Sequence, residues 1–323
     1  MSADAKVIRA QTSCLPINLE GLDRLDGRES KPSVLSGVRS RVHDYKLLTR
    51  PRLSTLVLLA TLVGFFFGSD DHIDLVLLLE TLLGTALVAG GSSALNQVLE
   101  VRTDALMERT RNRPLPAGRM SQSEVLYFGV AASVVGLLYL ALRVNLNASL
   151  WAAVTLAVYV FAYTPLKRLT TFNTLVGAVP GALPPLIGWA AARGSLTQPS
   201  FALFALLFVW QLPHFLAIAW IYRADYARAG LVMLPTIDPE GFATGRQIVV
   251  HSLSLLPVSL LPLYYHMSGA RYLCGALVLG IAFLAVAINF AIKRSDRAAR
   301  QLFLASVAYL PLLLALMMVD RST

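Results

Sequence analysis

Nine stretches of about twenty mostly apolar residues fill nearly all of the chain beyond residue 50, and no other feature restricts its fold as much. They run over 53–68, 75–96, 123–142, 146–164, 172–192, 199–222, 247–267, 271–292 and 301–319. In hydrocarbon every backbone amide must find its partner inside its own segment or in a closed barrel, so runs of this length are helices. A barrel would instead alternate apolar and polar residues in short segments, a pattern the chain does not contain. The expected fold is an all-α integral membrane protein, a bundle of nine transmembrane helices in the lipid bilayer. Composition agrees: 56% of the 323 residues are hydrophobic and 15% are charged, against about a quarter charged in a soluble domain. The two cysteines, Cys14 and Cys274, form neither a disulfide framework nor a metal-type spacing.

The net charge of +9 is explained by topology. Of the 28 basic residues, all but Arg143, Arg193, Arg271 and Arg321 fall before the first span or in the even-numbered loops. Loop 1–2 carries Asp70, Asp71 and Asp74 and no basic residue. Lysine and arginine collect on the cytoplasmic side, which places the N-terminus and the even loops there. No aromatic-interleaved basic groove is present, so nucleic acid is not an expected partner. Residues 1–44 are polar, contain Glu20, Asp23, Asp26 and Glu29, and have no apolar core, so they read as a flexible cytoplasmic tail rather than a signal peptide. Residues 45–323 then form the membrane domain, and the acid-containing tail favours a bacterial cytoplasmic (inner) membrane over a mitochondrial one.

Chemistry is sought where charge meets these helices, because ionisable groups at membrane depth are costly and usually functional. Asn96, Glu100 and Asp104 are spaced by four, so a second helix continuing past its apolar part would carry them on one face over about 12 Å. Three oxygen-bearing side chains on one stripe suit Mg²⁺, which often bridges to a diphosphate. Arg109 and Arg113 follow, and arginine forks fit phosphate oxygens. An ordinary solvated helix end with a topogenic cluster would give the same spacing. Asp225 closes the sixth span and could complete a metal site opposite Glu100 and Asp104, or pair with Arg228. Lys167 and Arg168 could hold phosphate or simply follow the turn at Pro165. His214, eleven residues before Asp225, lies deeper in the bundle as a packed residue, a heme ligand or a proton acceptor. Gly177 and Gly181 make a GxxxG whose default role is close helix packing, and Pro180, Pro184 and Pro185 suggest a kink that opens a cavity. Hydrolase, redox-thiol and nucleotide motifs are absent.

Three blocks together carry a specific resemblance. They are Asn96-Gln97-x-x-Glu100-x-x-x-Asp104-x-x-Met107-x-Arg109-Thr110-x-x-Arg113-Pro114-Leu115, Tyr163-Thr164-Pro165-Leu166-Lys167-Arg168 running on to Gly188-Trp189, and Trp210-Gln211-x-Pro213-His214-Phe215 followed by Asp225-Tyr226 and Met233-Leu234-Pro235. The chain from about residue 44 to 320 resembles the UbiA-type intramembrane prenyltransferases, and within them the heme-farnesylating branch. The entry Leu48-Thr49-Arg50-Pro51-Arg52-Leu53 also looks like the family's, with Arg50 where lysine is common.

That resemblance implies a nine-helix bundle around a central cavity and Mg²⁺-dependent transfer of a farnesyl group from farnesyl diphosphate to a vinyl group of heme B, giving heme O and diphosphate. It implies heme B as substrate rather than permanent cofactor, and a downstream heme A synthase as partner. Carried over by position, Asn96, Glu100, Asp104 and Asp225 are the metal–diphosphate motif residues, and Arg109, Arg113, Lys167 and Arg168 hold the diphosphate. His214 is placed for heme contact, and Tyr226 and His214 are candidates to steer water. Position 229 is alanine where the wider superfamily often has a second aspartate, which fits the heme branch. Rival readings are a prenyltransferase with an aromatic acceptor, a transporter with an acidic ion path, and a non-catalytic heme scaffold.

Overall fold

The structure, a computed structural model, describes residues 34–70 and 72–321. Cys14, Asp71 and most of the expected tail lie outside the described residues. From Val34 the chain is helical, so the last part of the expected tail belongs to a first helix, α1 (Val34–Leu48). The fold described below is that of His43–Thr323, one of two units into which the chain divides.

Nine helices long and apolar enough to cross a membrane follow among the described residues. They are α2 (Pro51–Gly68), α3 (Leu75–Leu106), α4 (Gln122–Val144), α5 (Leu146–Leu166), α6 (Asn173–Arg193), α7 (Gln198–Ile221), α10 (Phe242–Tyr264), α11 (Ala270–Lys293) and α12 (Asp296–Val319). Two short helices, α8 (Arg223–Arg228) and α9 (Leu234–Ile237), bridge α7 to α10. No strand occurs among the described residues beyond an isolated bridge between Ser268 and Arg321. The nine spans match the nine apolar stretches.

Local chemistry sets the helix ends. Asp74, Ser121, Asn145 and Ser295 each accept a bond from a backbone N–H three residues on, capping α3, α4, α5 and α12. Pro51 starts α2, where a missing N–H costs nothing, and Gly194 ends α6 in the left-handed conformation (φ 78°). α5 closes in a wide π-helical turn, Val158–Tyr163. Pro165 follows, and a proline ring collides with the carbonyl four residues back in a regular helix.

α6 is the most buried span and the hub of the bundle. It breaks at Leu183, before Pro184 and Pro185. Its upper half crosses α2 backbone against backbone: a Cβ on Gly188 would stand 1.9 Å from the Thr61 carbonyl oxygen, and one on Gly64 would stand 1.9 Å from that of Pro185. The expected crossing at Gly177 and Gly181 is not where helices meet most closely. Gly177 instead makes room for the Tyr163 ring and Gly181 for the Gln211 amide, and both line the central cavity. A second group of helices, α7, α10, α11 and α12, packs around Leu203, Leu206, Ile248, Tyr272, Phe290 and Leu302. Between the two groups lies a cavity of about 580 Å³.

Candidate active site

α3 continues ten residues past its apolar stretch and so carries Asn96, Glu100 and Asp104 at successive turns. Only the latter two line the cavity. Each is met by a cation from another segment. Lys167 Nζ, just after α5, donates to Glu100 Oε1 at 2.7 Å, and Arg113 Nη1, in the α3–α4 loop, donates to Asp104 Oδ2 at 2.6 Å. That loop is folded back onto its helix by Thr110, whose hydroxyl donates to the Asp104 carbonyl at 2.8 Å. Lys167 also lies 4.3 Å over the Tyr163 ring, a favourable place for a cation. The α5–α6 loop is fixed in turn by Val232, whose N–H donates to the Lys167 carbonyl at 2.8 Å.

Asn96 is fully buried and sits behind this wall. It accepts from Arg50 Nη2 at 3.1 Å and donates to Thr164 Oγ1 at 3.0 Å. Arg50 lines the cavity and was not among the residues singled out for the site. Its backbone is left-handed (φ 46°), uncommon for a residue with a side chain, and its guanidinium also donates to the Tyr159 hydroxyl at 3.4 Å. The one sequence signal was a basic residue directly before the proline that opens the first span. Tyr159 was missed as well, and Tyr163 entered only as the first residue of a resemblance block, with no role; the π-helical turn that holds them has no sequence mark beyond Pro165.

Arg109 and Tyr226 complete the charged end. Arg109 Nη2 donates to Tyr226 Oη at 3.3 Å and stacks 4.6 Å over the Tyr222 ring. The structure does not bring Asp225 and Arg168 to the cavity. Asp225 is buried on α8 and accepts from Arg228, which also reaches Glu108, so the local pairing that its spacing allowed is the one formed. Arg168 is exposed on the α5–α6 loop.

Four cations (Arg50, Arg109, Arg113, Lys167) therefore face two carboxylates (Glu100, Asp104) at one end of the cavity. The excess of positive charge in a recessed site favours an anion. Burial opposes the charge on Lys167, but Tyr163 and Glu100 outweigh it and hold the ammonium above its ordinary value. Arg50 is likewise raised, with burial overcome by Tyr159, Asp104 and Glu100. Arg113 is lowered by burial and by the like charge of Arg50, with Asp104 opposing. Away from this end the cavity wall is apolar and aromatic, with Leu56, Val63, Leu156, Leu207, Leu314 and Met318. His214 lies on that wall. Its Nδ1 is 2.7 Å from Ser306 Oγ, and its ring stacks on Trp210 with centroids 5.2 Å apart.

Among the described residues no three His, Cys, Asp or Glu side chains form a metal-type cluster. Of the four expected metal ligands, Asn96 bonds Arg50 and Thr164 behind the wall and Asp225 pairs with Arg228. Glu100 and Asp104 remain, and a pair of carboxylates fits Mg²⁺, which takes one or two carboxylates and completes its shell with phosphate oxygens and water. Lys167 and Arg113 each bond a single oxygen of their carboxylate in these pairs.

A bundle of apolar helices around a cavity with two acids and four cations at one end defines an intramembrane enzyme acting on an apolar phosphorylated substrate. The chain belongs to the UbiA prenyltransferase family, whose model matches residues 57–311. It is an integral membrane protein. It is 50% identical over 289 residues to the protoheme IX farnesyltransferase of Solibacter usitatus (strain Ellin6076), covering 87% of this chain and 99% of that one. Among solved structures, a digeranylgeranylglyceryl phosphate synthase has the same fold with a TM-score of 0.74 and 16% identity, covering 87% of this chain and 98% of that one. A UbiA homologue from Archaeoglobus fulgidus bound to DMAPP and Mg²⁺ has a TM-score of 0.63 at 18% identity, covering 85% and 99%.

Proposed function

We propose that this protein is a protoheme IX farnesyltransferase that joins the farnesyl group of farnesyl diphosphate to a vinyl group of heme B, giving heme O and diphosphate. The observation that carries this reading is the division of one cavity into a charged end and a long apolar and aromatic remainder. Identity to the Solibacter enzyme across nearly its whole length supports heme as the acceptor.

Arg50, Arg109, Arg113 and Lys167 bind the diphosphate and oppose the charge that grows on it as the allylic C–O bond breaks. Glu100 and Asp104 hold Mg²⁺, which when bound neutralises further charge on the leaving group. Asn96 supports them by orienting Arg50, and Asp225, outside the lining and paired with Arg228, is the second acidic position. Arg168 serves the diphosphate from outside the lining. Held tightly, Lys167 and Arg113 also keep the carboxylates from repelling an incoming diphosphate. The apolar wall keeps water from the allylic cation. The terminal vinyl carbon adds to it, and the new cation beside the pyrrole takes up water and loses a proton, leaving a hydroxyl. Tyr226 and His214 are the candidates to steer that water.

The excess of basic residues in the even loops supports a cytoplasmic N-terminus and a cytoplasmic mouth in the inner membrane. Residues 45–323 act as the prenyltransferase domain, with 1–44 as an extension, and a heme A synthase takes the product onward.

The test is incubation of membranes holding the chain with heme B, farnesyl diphosphate and Mg²⁺, and reading pigment masses, with Asp104→Asn as control. A heme heavier by a farnesyl group and a hydroxyl, absent in the control, is expected. Prenylation of an aromatic acid in place of heme would keep the chemistry and replace the acceptor. Ion flux with no prenyl transfer would move the reading to a transporter.

A further inference from the structure

Gln211 lies on α7 and lines the cavity, and the orientation of its carboxamide can be read from its neighbours. Nε2 stands 3.1 Å from the Ala178 carbonyl oxygen and 2.9 Å from that of Leu207. Only the amide nitrogen can face two acceptors, so both of its protons are spent and the oxygen takes the other side. Oε1 lies against Gly181, where a Cβ would stand 1.9 Å from it. No donor among the described residues reaches this oxygen. Nor is it one of their sealed, unsatisfied polar atoms, so its lone pairs open to the cavity that Gln211 and Gly181 both line.

α6 sets the depth of that oxygen. Gly177 admits the Tyr163 ring, and Lys167 stands 4.3 Å over the same ring at the charged end. Gly181 lies four residues further along the helix, about 6 Å, and admits Oε1. The free acceptor is therefore about one helical turn below the place where diphosphate departs. Its neighbours on the lining, Pro180 and Leu207, are apolar. In such a wall a water stays only where a polar atom holds it. Tyr226 Oη is met by Arg109 and His214 Nδ1 by Ser306, whereas Oε1 keeps its lone pairs free in one fixed direction.

We infer that Gln211 Oε1 positions the water that completes the reaction. It accepts one O–H of that water and so turns a water lone pair toward the cation beside the pyrrole, an effect of orientation. This rests on the proposed acceptor and product. Once C1 of the farnesyl group has bonded to the terminal vinyl carbon, the inner vinyl carbon carries the charge. The water oxygen bonds to that carbon, one water proton passes to the departed diphosphate, and a secondary alcohol is left. With no water in place the same cation sheds a proton from the adjoining methylene to diphosphate, leaving an alkene lighter than the alcohol by one water.

The experiment incubates purified full-length protein with heme B, farnesyl diphosphate and Mg²⁺, and reads pigment masses and released diphosphate on the same samples. Wild type is expected to yield the alcohol. Gln211→Met follows the length of the amide without its oxygen. Gly181→Ala keeps the amide and drives its oxygen aside, and it carries the test alone should Gln211→Met not fold. In both, the ratio of alkene to alcohol is expected to rise at least tenfold, with KM for farnesyl diphosphate unchanged. A role in packing alone would slow both products together and leave the ratio as it was. An unchanged ratio in variants that still farnesylate heme overturns the inference and leaves the acceptor standing. Loss of diphosphate release together with both pigments, in protein that melts like wild type, also overturns it, because Gln211 would then act before the water is needed. Wild type that farnesylates no heme overturns the acceptor, and the inference with it.

Discussion

The two ends of the cavity hold their side chains by opposite means. At the charged end Glu100, Asp104, Arg113 and Lys167 come from α3 and two loops, and ion pairs at 2.6 and 2.7 Å hold them. At the aromatic end Trp210, His214, Phe303 and Ser306 come from two packed helices, and neutral hydrogen bonds and ring contacts hold them. The first arrangement can exchange partners when an anion arrives, because each cation is held by charge that a diphosphate also offers. The second has no partner to exchange and is already in one geometry. One end is therefore suited to a substrate that changes charge during reaction, and the other to a rigid, flat acceptor.

The comparison can be broken most severely at Lys167. Replacing it by Met leaves Glu100 buried without its cation, and a broken buried pair costs about 3–5 kcal/mol. A marked fall in melting temperature in detergent is expected, and an unchanged one would show that the pair contributes nothing. Asp104→Asn keeps the shape but removes the charge; farnesyl transfer should fall by about 10²–10³ in kcat/KM, the scale for losing one preorganised electrostatic group. Chelation of Mg²⁺ should abolish transfer reversibly and leave heme binding intact, as checked by adding the metal back. Arg109→Ala removes one exposed fork at the rim, and a rise of about tenfold in KM for farnesyl diphosphate is expected, consistent with about 1.4 kcal/mol. Trp210→Phe at the other end loses one hydrogen bond to the Ser306 carbonyl, worth about 1 kcal/mol. It should weaken heme binding a few-fold without touching KM for the diphosphate.

The helices were legible because length and hydropathy alone decide what spans a bilayer, and the α3 face was legible because its spacing is periodic. What failed to show were relations between distant segments. His214 and Ser306 are 92 positions apart, and Glu100 and Lys167 are 67 apart. Arg50 looked like one more topogenic charge, and its place at the site depends on the left-handed turn before Pro51. Gly177 and Gly181 fitted a helix-packing motif, but small residues also admit side chains, and here Tyr163 and Gln211 occupy the space. Asp225 carried two readings from the start. In the structure it pairs with Arg228 one turn away and does not line the cavity, relations that spacing alone does not decide.

The central claim is that the two ends act separately on two substrates in one cavity. It is tested most directly by titrating Asp104→Asn with heme B and measuring transfer on the same sample. The account predicts a heme spectrum and affinity equal to wild type with farnesyl transfer reduced at least a hundredfold. Loss of heme binding together with transfer, in protein that melts like wild type, would contradict it.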